Sequence, residues 1–155
     1  MENIFVDTNV VIDLLAKREP FYKEVQDLFT LSDKKEVQLF ISSLTFANVY
    51  YSIARHHKEV DAKKYLSKFK VLVKILSLED KAIELALASD FKDFEDGLQY
   101  FVAIDNEADV IITRNKKDYT NSKIPVMTAG EYLSKWNDFR LHLRFPFSHK
   151  TQYKS

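Results

Sequence analysis

Residues 4–11 read Ile4-Phe5-Val6-Asp7-Thr8-Asn9-Val10-Val11, and this stretch predicts how the fold begins. Its three leading apolar residues indicate a short buried strand that ends at Asp7. Apolar residues then recur at helical spacing through Leu15, so a helix follows directly, and either Asp7 or Thr8 can cap it. An acidic side chain is therefore expected at the carboxyl end of the first strand.

The rest of the chain alternates apolar runs with amphipathic helical patterns. Strands are expected at residues 38–42, 71–76, 109–113 and 125–128. Helices are expected from Pro20, from Ser43, over residues 59–70, 78–89 and 95–108, and in a last segment through Trp136. Strands that alternate with helices predict an α/β domain with a parallel sheet.

The composition removes several kinds of chemistry. The 155 residues include no Cys, which excludes disulfides, zinc ribbons, iron–sulfur clusters and thiol catalysis. The two glycines, Gly97 and Gly130, belong to neither of the familiar Gly-rich loops that cradle nucleotide phosphates. The four His residues form no His-x3-His pair. Any chemistry must therefore rest on carboxylates, amides and hydroxyls.

The net charge of zero conceals an uneven distribution. Residues 79–109 carry ten acids and two lysines, a local charge of −8, whereas residues 51–74 have a local charge of +5. This polarity permits a nucleic-acid partner, although solvated helix faces have the same pattern. The first residues lack the pattern of a secretory signal, and no run approaches the ~20 apolar residues of a membrane span, which predicts a cytoplasmic protein without membrane contact.

Polar residues gather where the predicted strands end, and ligands of an open parallel sheet bind at that edge. The residues expected there are Asp7, Ser42, Ser43, Asn48, Asp93, Glu95, Asp96, Thr113, Arg114, Asn115 and Asp118. Carboxylates without His or Cys favour hard divalent cations such as Mg²⁺ or Mn²⁺. Structural interpretations stay open: helix capping for Asp7, helix-dipole charges at residues 93–96, a turn at residues 115–118 and a core amide for Asn48. Asp96 is the best candidate among the helical acids, because Leu98 and Phe101 place it beside the buried face.

Three stretches resemble a known family. Residues 5–13, Phe-Val-Asp-Thr-Asn-Val-Val-Ile-Asp, resemble the opening motif of PIN-domain ribonucleases, which include the VapC-type toxins of bacterial toxin–antitoxin pairs. Residues 91–99, Phe-Lys-Asp-Phe-Glu-Asp-Gly-Leu-Gln, resemble that family's third-acid region, and residues 111–119, Ile-Ile-Thr-Arg-Asn-Lys-Lys-Asp-Tyr, its fourth-strand motif. The resemblance implies a three-layer α/β/α domain over residues 1–136, with a central parallel sheet of about five strands. An aromatic and basic tail, residues 137–155, would follow.

The resemblance further implies a metal-dependent endoribonuclease that uses Mg²⁺ or Mn²⁺. Asp7 and Asp96 match the first and third acids of the family, and Thr113 matches the hydroxyl that steadies the first acid. Asn115 or Asp118 occupies the fourth position. The implied metal ligands are Asp7, Asp96 and Asp118.

The sequence departs from the family pattern at the second acid. Many members have Glu on the third helix, where this chain has Asn48 in Thr45-Phe46-Ala47-Asn48-Val49-Tyr50-Tyr51. The substitution removes one charge from the metal cage, which favours one tightly held ion over two. Asp118 or Glu95 would support a second ion or an ordered water.

The basic residues and the family resemblance suggest partners. Arg55, Lys58, Arg114 and Lys116 are expected to contact RNA phosphates, which would make binding sensitive to salt. The resemblance also implies an antitoxin protein as a partner, and a homodimer is expected.

Three other interpretations stay open. A haloacid-dehalogenase-type phosphatase also places an Asp after its first strand, but it requires a second acid two residues later, where this chain has Asn9. A PIN-like domain with weakened metal binding could bind RNA or a partner protein, and Asn48 is the residue that favours it. A plain interaction module would pair through its aromatic helices with an antitoxin or with a second copy of the chain.

Overall fold

The computed structural model describes residues 1–144 and shows five strands and seven α-helices in this part of the chain. The strands are β1 (Asn3–Val6), β2 (Gln38–Ser42), β3 (Lys74–Leu76), β4 (Val110–Ile112) and β5 (Val126–Met127). The helices are α1 (Thr8–Leu15), α2 (Tyr22–Asp33), α3 (Ser43–His56), α4 (Ala62–Phe69), α5 (Asp80–Leu87), α6 (Phe94–Asp105) and α7 (Ala129–Arg144). Short 3-10 helices lie at Lys70–Leu72 and Lys116–Tyr119.

The five strands form one parallel sheet in the order β3-β2-β1-β4-β5. The central strand β1 pairs with β2 on one side, where Phe5 lies opposite Phe40, and with β4 on the other, where Phe5 lies opposite Ile111. The strand order therefore reverses at β1, and the carboxyl end of β1 lies at the topological switch point where ligands of such sheets bind.

Successive strand residues point to opposite faces of the sheet and give the domain three layers. Ile4 and Val6 pack into a core with α1, α2, α3, α4 and α7, whereas Phe5 packs on the opposite face with α5 and α6. All three residues are fully buried. The expected α/β/α fold with a parallel sheet of five strands is thus confirmed.

Several predicted boundaries differ from the structure. The third strand begins at Lys74 instead of residue 71, because residues 70–72 form a 3-10 turn, and α2 begins at Tyr22 instead of Pro20. The last helix does not end at Trp136 but continues to Arg144. Residues 137–144 are exposed, so this part of α7 buries no apolar face and shows no periodic pattern. The predicted domain boundary at 136 stays a prediction, and residues 145–155 of the predicted tail lie outside the described residues.

Within residues 1–144, no helix combines the length and the apolar character that crossing a bilayer requires.

Candidate functional site: an acidic cleft at the carboxyl edge of the sheet

Asp7 lies at the carboxyl end of β1 with both carboxylate oxygens engaged. Its Oδ1 accepts a 2.7 Å hydrogen bond from the backbone N–H of Thr8, so Asp7 caps α1. Its Oδ2 accepts a 2.9 Å hydrogen bond from the Thr113 hydroxyl, which follows β4. The backbone N–H of Asp7 continues the sheet by donating to the carbonyl of Ile112. The side chain is buried and its orientation is set by two adjacent strands.

Burial raises the pKa of the Asp7 carboxyl above its ordinary value. The hydrogen bonds from Thr113 and Thr8 oppose this shift, and the charges of Glu95 and Asp118 add to it. Capping a helix does not require such burial or a second donor from another strand. The capping interpretation of Asp7 is therefore correct but incomplete.

Asp96 lies in the first turn of α6 and faces the same cleft. Burial, and then the negative charges of Asp7, Asp93, Asp118 and Glu95, together raise its pKa to about 7. Within residues 1–144, none of Asp7, Glu95, Asp96 and Asp118 forms an ion pair with a basic side chain. The cleft thus gathers acidic side chains that form no ion pair with the described part of the chain.

Asn48 reaches the cleft from α3 and contacts an acid on the facing helix. Its Nδ2 donates a 3.2 Å hydrogen bond to Oε1 of Glu95, and the Thr8 hydroxyl approaches the same oxygen at 3.4 Å. The amide is half-buried rather than enclosed in the core. Asn48 therefore faces the acidic cleft, and its nearest charged partner is Glu95.

The cleft has a volume of about 340 Å³. It is lined by Asp7, Thr8, Asn9, Asn48, Asp93, Glu95, Asp96 and Asp118. A neighbouring cleft of about 520 Å³ shares Asp93, Asp96 and Asp118 with it and is bordered by Lys92 and Lys117. The structure thus brings together four of the predicted catalytic residues: Asp7, Asn48, Asp96 and Asp118. The two connected clefts provide an open surface along the carboxyl edge of the sheet.

The other two predicted catalytic residues lie outside the lining of the acidic cleft. Thr113 is buried beneath it and contacts Asp7. Asn115 is exposed, and its backbone N–H donates a 3.2 Å hydrogen bond to the Thr113 hydroxyl oxygen. In this structure Asn115 therefore supports Thr113 through its backbone. Of the two candidates for the fourth position, Asn115 and Asp118, only Asp118 lines the cleft.

A buried polar network beneath the cleft was missed by sequence reasoning. Gln99 is almost fully buried on α6, and its Nε2 donates to the hydroxyl oxygens of Thr8, at 3.0 Å, and Thr45. Its Oε1 accepts a 2.7 Å hydrogen bond from Ser42. The only sequence signal is the amide three residues after Asp96, on the apolar face of an amphipathic helix. The network joins α6 to the end of β2 and to the first turns of α1 and α3.

The hydroxyl of Tyr119 is a second buried group that sequence reasoning overlooked. The side chain is 2% exposed, and its hydroxyl has no hydrogen-bond partner among the described residues. Burial raises its pKa, and the charges of Asp7 and Asp96 raise it further. The phenol therefore stays neutral beneath the acids.

The four predicted RNA-binding residues have different surroundings. Arg55 and Lys58 are exposed near the end of α3, and Lys116 forms a 2.8 Å ion pair with Glu131. Arg114 forms a 2.8 Å ion pair between its Nε and Oδ2 of the fully buried Asp13, although this contact lacks hydrogen-bond alignment. Its guanidinium also lies 4.3 Å from the centre of the Phe21 ring. Arg114 thus pairs with the buried Asp13, and any contact with RNA would have to be made while this ion pair is kept.

Divalent-metal binding can be tested against this donor set. Within the described chain, no three acidic or His side chains converge closely enough to form a ready cation cage. The carboxylates line the cleft without meeting at a point. Carboxylates of this kind, with the raised pKa of Asp96, are the chemistry that a hard divalent cation satisfies. The lining therefore offers the oxygen donors that such an ion prefers.

The fold and the cleft together define a three-layer α/β/α protein with a carboxylate-lined site at the switch point of a parallel sheet. Residues 3–117 match the family model of the PIN domain. The chain therefore belongs to the PIN domain family, as the sequence motifs indicated.

Individual relatives agree with this assignment. The chain is 33% identical over 144 residues to "Ribonuclease VapC1" of Aquifex aeolicus strain VF5, an alignment that covers 88% of this chain and 96% of the relative. Its fold is similar to a toxin–antitoxin complex from Klebsiella pneumoniae, with a TM-score of 0.60, 25% identity and coverage of 81% of this chain and 97% of the other. It is also similar to the DNA-bound VapBC structure from Salmonella typhimurium, with a TM-score of 0.63, 16% identity and coverage of 83% and 99%.

Proposed function

We propose that this protein is a VapC-like endoribonuclease that hydrolyses RNA phosphodiester bonds with the help of Mg²⁺ or Mn²⁺. One observation carries the proposal: Asp7, at the end of β1, and Asp96, near the start of α6, line the same acidic cleft. Membership of the PIN domain family and the similarity to a VapC ribonuclease support it.

The side chains of the cleft would have two roles, binding of the metal ion and orientation of its ligands. Asp7, Asp96 and Asp118 would hold the divalent ion, which when bound lowers the pKa of an attacking water and offsets charge on the phosphate. Thr113 orients Asp7 through the hydrogen bond to Oδ2, because that contact fixes the rotamer of the buried carboxylate. Since Asp96 has a pKa of about 7, its carboxyl must be free of its proton before it binds a cation.

The substrate strand would run along the exposed basic residues near the cleft. Arg55 follows Asn48 by seven residues on α3, so it lies about 10 Å along the same helix face. Lys58 and Lys116 are also exposed and would contact flanking phosphates, with Arg114 as a further candidate. These contacts would supply affinity that falls as salt concentration rises.

The likeness to VapBC and other toxin–antitoxin structures supports a protein partner for this chain. We propose that it is a cytoplasmic toxin held by an antitoxin and that it forms a homodimer. The second candidate function is a PIN-like RNA- or partner-binding domain with weakened catalysis. Asn48, which replaces the usual acid, is the observation that favours it.

RNA cleavage in the presence of Mn²⁺ tests the proposal. The parent protein is compared with Asp7→Asn and Asp96→Asn, and Asp33→Asn on the exposed end of α2 serves as the matched control. The parent and the control are expected to cleave structured RNA, whereas both cleft variants lose cleavage and keep their fold by circular dichroism. Equal activity of all four proteins, or no cleavage of any RNA by the parent, would contradict the proposal.

A further inference from the structure

We infer that Glu95 supplies the carboxylate that Asn48 does not, and that Asn48 is a positioning residue that aims Glu95 at the metal ion. The inference rests on the proposed metal-dependent function. In this arrangement the acid that many family members carry on α3 is replaced by an acid on α6. An amide at position 48 is then compatible with a complete set of metal ligands.

The contacts of Glu95 leave half of its carboxylate available. Oε1 accepts from Asn48 Nδ2 at 3.2 Å and is approached by the Thr8 hydroxyl at 3.4 Å. Within residues 1–144, neither a hydrogen bond to Oε2 nor an ion pair to Glu95 is formed. Glu95 lines the cleft and is held there through Oε1, while Oε2 has no partner among the described residues. Such a fixed, half-satisfied carboxylate is suited to bind a cation.

In the buried network below the cleft, the hydrogen bonds can be followed from Ser42 through Gln99 to Thr8. Ser42 donates to Gln99 Oε1, and the two N–H groups of Gln99 donate to the oxygens of Thr8 and Thr45. The hydroxyl oxygens of Thr8 and Thr45 lie 2.8 Å apart, so the Thr45 hydroxyl can donate a hydrogen bond to that of Thr8. The proton of Thr8 is then left for Glu95 Oε1. A chain of donors that starts in the core therefore ends on this carboxylate oxygen.

An acid at position 48 would not fit this arrangement. A Glu side chain there would lie against Glu95, and two adjacent carboxylates repel each other when no cation separates them. Asn provides an N–H donor at the same place and donates it to Oε1 of Glu95. The amide and the acid are therefore complementary, and exchanging them should preserve the donor set.

Mn²⁺ titration calorimetry on the full chain tests this exchange. The variants are Glu95→Gln, Asn48→Glu, the double variant with both changes, and Glu84→Gln on the exposed face of α5 as the matched control. Gln at position 95 keeps an oxygen that can accept from Asn48 and Thr8, so the fold should persist, which thermal melting verifies. Asp7→Asn is included to report on the metal site itself.

The expected Mn²⁺ affinity of Glu95→Gln is at least about tenfold weaker than that of the parent, with Glu84→Gln unchanged. The double variant is expected to recover to within about threefold of the parent, because the carboxylate returns from α3. If Asp7→Asn abolishes binding while Glu95→Gln binds like the parent, or if the double variant stays as weak as Glu95→Gln, the inference is wrong and the proposed function stands. A parent protein that binds no Mn²⁺ would overturn both.

Discussion

The hydroxyl of Thr113 donates a 2.9 Å hydrogen bond to Oδ2 of Asp7 and so joins the ends of β4 and β1 beneath the acidic cleft. Replacing Thr113 with Val keeps the shape of the side chain and removes this donor. The pKa of Asp7, already raised by burial, should rise further because the bond that opposes the shift is lost. We expect about tenfold weaker Mn²⁺ binding by calorimetry.

The matched control is Thr113→Ser, which retains the hydroxyl and should bind Mn²⁺ nearly as the parent does. Parental affinity in Thr113→Val would show that the bond does not orient Asp7 for metal binding.

The raised pKa of Asp96 predicts how stability depends on pH without metal. Its pKa is about 7 in the folded protein and ordinarily 3.8, so between these values the folded state keeps a proton that the unfolded state releases. Stability from this group is therefore present below about pH 4 and is lost as pH rises through 7. Asp96→Asn removes the titration, so in chelator its melting temperature should exceed the parent's more at about pH 8 than at about pH 5. A difference that is constant with pH would contradict this assignment.

The buried amide of Gln99 predicts a stability cost for its removal. Gln99→Leu leaves the hydroxyls of Ser42, Thr45 and Thr8 without their shared partner. Because such groups are costly when buried without partners, the free energy of unfolding in urea should fall by about 1–3 kcal/mol. The exposed Gln26→Leu on α2 is the control and should change it by no more than about 0.5 kcal/mol. Equal, small effects of both changes would show that the network contributes little.

The ion pair of Arg114 and Asp13 predicts that Arg114 acts mainly on folding. Asp13 is fully buried, and Arg114→Met would leave it with only Arg18, at 3.9 Å. Since Arg114 is 30% exposed, we expect a loss of about 2–3 kcal/mol, at the low end for broken buried pairs. Lys117→Met is the exposed control, and adding Asp13→Asn to Arg114→Met should recover part of the loss. Unchanged stability together with weaker RNA binding would instead support a direct role at phosphate.

Much of the fold could be predicted because a buried parallel strand leaves a continuous apolar run in the sequence. Residues 4–6 and 110–112 show this pattern, and each run is followed by the polar residue that reaches the site, Asp7 and Thr113. Their convergence follows from the rule that parallel strands share one carboxyl edge. The last two turns of α7 could not be predicted, because residues 137–144 bury no apolar face that would mark a helix.

The contacts inside the site were less accessible to sequence reasoning. The pairing of Asn48 with Glu95 joins side chains on two helices, and the sequence places each helix without specifying which side chains meet. Gln99 likewise has polar partners on three elements, and nothing in its local pattern distinguishes it from a residue at the edge of an apolar face. The basic side chain of Arg114 predicts a contact with RNA phosphates, whereas its position beside Asp13 depends on the packing of α1.

RNA cleavage after removal and return of metal tests the central claim most directly. The parent protein is freed of divalent ions with chelator, dialysed and assayed on structured RNA alone, with Mn²⁺ and with Ca²⁺, in parallel with Asp96→Asn. We expect no cleavage by the stripped protein, restored cleavage with Mn²⁺ in the parent and none in Asp96→Asn. Undiminished cleavage by the stripped parent, or equal restoration in Asp96→Asn, would contradict a metal-dependent nuclease built on this cleft.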